Sequence, residues 1–449
     1  MEKDYEKKRD DNFGAIWLLY LNLFSCIGLL PAIQNDLKDY LPGTNDLGIG
    51  FIIASGLIVA IISNLTFGYY QEKIREKYSR KKIFMVTNSI WIICYFLCAF
   101  SPHYIFILIC TLIAYVGNGA FMPIGFSIIG DSYSPKERGN KFGFMQVGLL
   151  MGGGWGIILG VIFGQGQLWR LVYIIAPILS LLALNRYRRV GIDPERGRVE
   201  TAFEDFEGAI NYDYKITRKN IVQLLRKKSI TALILYILLS GIATATLGIW
   251  AIEYLTIYKF EGSEGLATIL FIGIMVAALP GNMVGGNLGD KFFKEGKLRG
   301  RVIISMSGLM VGVILQIIFY AFPLDLGSPF SWILFILLGI TQAFLCALNI
   351  GNIFAIYSEV CTPELRSTAN ALHKMMVNIG GVIGNLVLAS MVQINPTLMP
   401  SAIILVQIIF LCGTILWVVP YFSYPKEAKE CDEMLAERRK ELETKSISK

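Results

Sequence analysis

Two short segments carry the residue types that most invite chemistry: GDSYSPKERGNK from Gly130 and SEVCTPELRSTAN from Ser358. They align without a gap, Asp131 with Glu359, Pro135 with Pro363 and Arg138 with Arg366. An acid and an arginine at fixed spacing form charge-assisted hydrogen bonds, so the chemistry on offer is pairing and release rather than bond making. A second pair, GYYQEK from Gly68 and GNLGDK from Gly286, sets a glycine four positions before an acid and its lysine, Glu72–Lys73 and Asp290–Lys291. A carboxylate at one helix end pairs with an arginine and with the positive N-terminus of a neighbouring helix. The four segments therefore read as a cytoplasmic gate that must break before the joined ends can part. No nucleophile stands beside a base, and no Walker loop or metal-ligand spacing occurs in a chain with only 2 His. No enzyme activity, cofactor or metal is expected.

The elements that position these residues follow from composition. With 54% apolar and 17% charged residues over 449 positions, the chain is an all-α membrane protein. Apolar runs long enough to cross a bilayer fall at 13–33, 47–70, 83–100, 104–130, 142–164, 169–186, 230–258, 266–288, 302–322, 330–358, 370–394 and 401–422, giving twelve transmembrane helices. Of the 41 Lys and Arg, only Lys38, Arg170 and Lys259 lie on one side, so both termini are placed in the cytoplasm. The organisation is a cytoplasmic N-terminal segment (1–12), a first bundle (13–186), a basic linker (187–229), a second bundle (230–422) and a tail (423–449) that reads as a solvated helix. Span 1 is retained rather than cleaved, and the 8 Cys read as free thiols. The net charge of +7 suits a membrane surface and its lipids, not nucleic acid. A multi-pass protein of the plasma membrane, functional as a monomer, is expected.

The repeat runs beyond the charged segments. Gly152, Gly153 and Gly156 match Gly380, Gly381 and Gly384, so the spans form two pseudo-symmetric six-helix bundles. Gly148, Gly152, Gly156, Gly160 and Gly164 recur every four residues, baring one face of span 5 for close packing.

The glycine, acid and lysine loops resemble the loop motif of the major facilitator superfamily, with Glu72 for the usual Asp in the first copy. IDPERGRVE from Ile192, LPAIQNDL from Leu30, FGYY with the later SRKK, RKKSITALIL and IWAIEYL are similar to landmarks of its spinster-type branch, whose members move lysophospholipids or sphingolipids. The resemblance implies alternating access around a cavity lined by spans 1, 4, 7 and 10. It also implies an acid and an arginine in span 1 and an arginine and a glutamate in span 4. Here those positions hold Asn22, Leu23, Thr111 and Asn118, all neutral. Asparagine keeps the shape of the acid and loses its proton, so transport with weak or no proton coupling through span 1 is expected. Trp155 stands where the superfamily's antiporter motif has proline, and antiport is not inferred.

Polar residues on those spans are the candidate cavity: Asn22, Ser25, Thr111, Tyr115, Asn118, Trp250, Glu253, Gln342, Asn349 and Asn352. They suit a small organic solute or an amphiphile. Asn22 and Asn118 could equally bond across spans 1 and 4 to fix packing. Glu253, His373 and Lys374 are the ionisable groups within spans and the candidates for coupling. Glu253 could instead cap the outer end by pairing with Arg170 or Lys259, and Lys374 could snorkel. Two other readings stand: a proton-coupled carrier using Glu253 or His373, and a transport-inactive sensor whose linker and tail bind a partner.

Overall fold

The structure is a computed structural model, described for residues 2–44, 46–75, 77–163, 168–195, 199 and 218–447. Twelve helices are long and apolar enough to cross a membrane, as the sequence predicts. A helix bonds its backbone groups internally, which hydrocarbon demands of any lipid-exposed segment. In the first half they are α1 (Glu2–Tyr40), α2 (Asp46–Arg75), α3 (Arg80–Cys98), α4 (Tyr104–Ser132), α5 (Arg138–Phe163) and α6 (Trp169–Val190). A short linker helix, Arg218–Arg226, leads to the second half. That half holds α7 (Lys228–Tyr258), α8 (Glu264–Lys294), α9 (Arg299–Ala321), α10 (Pro329–Val360), α11 (Arg366–Ile394) and α12 (Met399–Ile415), followed by a tail helix, Val418–Ile447.

The packing repeats between halves. In the first, α1 packs on α5 and α6, and α4 on α2 and α3; in the second, α7 packs on α11 and α12, and α10 on α8 and α9. The halves meet where α5 lies against α8 and α10 and where α2 lies against α11. The glycine spacing explains the tightest contact inside each half. A Cβ at Gly148 would stand 2.7 Å from Trp17 Nε1, and one at Gly156 would stand 2.9 Å from the Ser25 carbonyl carbon. Gly381 would meet Ala245 at 2.8 Å in the matching α7–α11 seam. Backbones approach that closely only where the side chain is a hydrogen. Gly164 lies outside the described residues.

Two spans are interrupted near the face that carries most of the Lys and Arg, called the basic face below. In α4, Met122–Phe126 widens into a π turn at Pro123, which has no N–H to donate. In α10, the helix breaks between Ala347 and Ile350. Phe126, at the end of the first interruption, and Phe354, one turn past the second, meet across the halves at 4.9 Å.

The tail departs from its expected solvated state. Tyr424, Cys431 and Leu435 are buried, and Glu427 caps α7 by accepting from the N–H groups of Lys228 (2.6 Å) and Ser229 (3.2 Å). Opposite charges spaced along this helix hide an apolar stripe that docks on the second half.

Candidate functional site: the seam between the halves

The acid–arginine clusters at the basic face assemble from both halves. Asp131, fully buried at the end of α4, accepts from Arg80 of α3 at 2.5 Å and from Arg366 of α11 at 2.7 Å. Arg366 also donates to the Ser358 carbonyl (2.9 Å), and its counterpart Arg138 donates to the Gly130 carbonyl (3.0 Å). Arg366 thus reaches the acid of the other half. Asp290 accepts from the N–H groups of Gly139 (3.0 Å) and Asn140 (2.8 Å) in the first turn of α5. The helix N-terminus supplies unpaired donors and positive potential to that carboxylate. In the matching place, the Gly68 carbonyl accepts from Thr368 (3.1 Å) and Ser367 (3.3 Å) in the first turn of α11.

Lys291 is exposed, and the arginine that pairs with Asp290 is Arg301. Arg301 pairs with Asp290 at 2.8 Å and Glu359 at 3.1 Å, and donates to the Pro135 carbonyl of the first half at 2.7 Å. Tyr424 of the tail donates to the other Glu359 oxygen. Gly286 packs on Gly139. The side chains of Glu72 and Lys73 lie outside the described residues. Arg80 also binds the linker: its main-chain N–H and Nε each donate to Asp193 at 2.8 Å. Arg80 and Arg301 open the third and ninth spans, and the paired basic clusters SRKK and RGR at those helix starts are the signal that could have identified them.

The expected cavity residues scatter. Asn22 is buried, and its amide donates to Leu18 O of its own helix at 2.8 Å rather than across to α4. Ser25 is buried where α1 meets Gly156. Thr111 turns toward Cys98 of α3, 3.9 Å away, and Tyr115 packs on Gly56 of α2. Asn118 is partly exposed. Gln342 is buried and bonds Gly339 O of its own helix. Asn349 accepts from Tyr236 of α7 at 3.3 Å. Asn352, wholly buried, donates to the Gly285 carbonyl at 3.0 Å and accepts from Arg301 at 3.4 Å. Asn352 thus lies beside the Arg301 ion pairs of the basic face.

The ionisable groups divide as well. Glu253 is exposed and has no ion pair among the described residues. Its expected outer-end partners are engaged elsewhere, Arg170 with the Ala99 and Ser101 carbonyls (2.8 Å each) and Lys259 with the Phe322 carbonyl (2.6 Å). Trp250, one turn before Glu253, donates to Asn385 of α11 at 3.2 Å. His373 is buried against Phe354, with Nδ1 3.4 Å from the Tyr357 hydroxyl. The Lys374 Nζ lies 5.9 Å from the Phe24 ring centre, across the seam on α1.

Two pseudo-symmetric six-helix bundles joined by mirrored acid–arginine clusters define a polytopic carrier of the two-bundle type. The sequence profile of the Major Facilitator Superfamily matches residues 13–385 and 264–447, and the chain belongs to that family of membrane transporters. It is similar to spinster homolog 1 of Xenopus laevis, with 24% identity over 82% of this chain and 69% of the relative. Its fold is similar to that of the human organic anion transporter MFSD10 (TM-score 0.70, 13% identity, 91% of this chain and 99% of that one). It also matches a bacterial homologue of the human lysosomal transporter spinster, solved inward-facing and unoccupied (TM-score 0.60, 16% identity, 94% and 98% covered). The spinster likeness of the sequence landmarks thus recurs among the sequence relatives.

Proposed function

We propose that the chain is an alternating-access carrier of a small organic solute or a lysolipid or sphingoid-type amphiphile, with weak or no proton coupling through α1. The observation that carries this reading is the position of Lys374. It reaches Phe24 across the seam and has no ion pair among the described residues, so a cation and an aromatic ring face the space between the halves. The acidic head of an amphiphile would meet the cation, and its chain the aromatic side. The Lys and Arg bias supports a cytoplasmic basic face, and the gate is completed within one chain, which supports a working monomer; the plasma membrane is the membrane proposed. Asn22, at the family's proton-binding position, has no proton to exchange.

The test is movement of a labelled lysophospholipid across vesicles holding the protein, with and without a pH gradient. Saturable movement indifferent to the gradient is expected. Absence of movement removes the lipid assignment, and ligand binding without translocation favours the sensor reading. Strongly gradient-driven movement supports a second reading, favoured by the exposed and unpaired Glu253, in which Glu253 or His373 couples transport to protons. Loss of the pH dependence in Glu253→Gln or His373→Asn would then identify the group.

A further inference from the structure

A cavity of about 600 Å³ opens where the linker helix, the start of α7 and the tail helix converge at the basic face. Its polar wall carries Arg226, Lys228 and Lys426, and its apolar wall carries Val418, Val419 and Phe422. The two carboxylates that also line it are engaged: Glu427 accepts from the Lys228 and Ser229 N–H groups, and Glu430 lies 3.8 Å from Lys426. Arg226 and Lys228 have no ion pair among the described residues. The apolar wall is open, with Phe422 67% exposed. On the linker helix beside it, Val222 and Leu225 are exposed and Leu224 is buried.

We propose that this cavity binds an anionic phospholipid of the adjoining leaflet, its phosphate between Arg226 and Lys228 and the start of its acyl chain against Phe422 and Val418. Charge complementarity decides the headgroup, since a phosphate meets two arginine and lysine side chains that lack an internal counter-ion. Position decides the source. The apolar wall belongs to the first turns of the tail helix, directly after α12, where a span leaves the acyl phase for the headgroups, and a free phosphate would leave that wall exposed to water. The basic, one-sidedly apolar linker helix has the pattern of an element lying in the interface plane.

The test uses the full chain in detergent, titrated with phosphatidylglycerol, phosphatidylcholine or glycerol phosphate and followed by thermal unfolding and native mass spectrometry. Phosphatidylglycerol is expected to bind at least about tenfold more tightly than phosphatidylcholine. The variant Arg226→Gln/Lys228→Gln/Lys426→Gln should lose that preference. Lys136→Gln/Lys294→Gln/Lys297→Gln, which removes as much charge elsewhere on the same face, should keep it. Equal loss in both variants, or no loss in the first, overturns the site. Binding of glycerol phosphate as tight as that of the lipid overturns the lipid as occupant.

Discussion

Asp131 and Glu359 stand at equivalent places in the repeat yet are held differently. Asp131 sits between two arginines, one from each half, whereas Glu359 pairs with Arg301 and takes its second partner, Tyr424, from the tail. Removing one partner of a buried ion pair typically costs about 3–5 kcal/mol because a charge is left without compensation. Arg366→Gln is therefore expected to loosen the basic face. The buried thiol of Cys361, close to Arg366, reports this. Its labelling by a membrane-impermeant maleimide, mapped by mass spectrometry, should rise at least about tenfold; unchanged labelling would mean that the pair does not hold the gate. Asn22 gives a second prediction at this scale. Its amide N–H donates to the Leu18 carbonyl, so Asn22→Asp sets a carboxyl oxygen against that acceptor and should cost about 1–3 kcal/mol. A melting temperature equal to wild type would place the side chain in an open cavity instead.

At the scale of elements, the glycine seams set what each helix tolerates. A Cβ at Gly156 has no room against α1, whereas Gly154 has nothing within 4 Å. Gly156→Val should destabilise by about 1–3 kcal/mol through overpacking, and Gly154→Val should leave the unfolding temperature within a degree or so of wild type. Equal effects of the two would show that the seam is not what packs α5 on α1. The tail helix makes a similar prediction. Glu427 caps α7 from outside the bundle, so Glu427→Ala should cost about 1 kcal/mol, read as earlier proteolysis of the tail. Sequence spacing carried the existence of every span and the glycine faces. It did not carry the interruptions in α4 and α10 or the docking of the tail, because each depends on partners brought from remote segments.

At the scale of the whole molecule, the polar contacts between halves gather at the basic face. Asn140 and Asn287 hydrogen-bond there across α5 and α8. Cysteines at these two positions, bridged by a short bismaleimide, should hold the halves together and reduce translocation at least about tenfold while leaving ligand binding from the opposite side intact. Full transport by the bridged protein would show that the halves need not part at this face. What the sequence by itself determined is the solvent, the number of spans, the repeat and the acids and arginines that recur in it, since hydropathy and spacing are local quantities that the chain displays along its length. Only the tertiary structure decided the partners. Arg80 and Arg301 supply ion pairs to Asp131 and Asp290, Asn352 contacts Arg301, and Thr111 and Tyr115 turn toward α3 and α2. The physical reason is that a helix face is read from spacing, but which neighbour covers that face is set by the packing of all twelve helices.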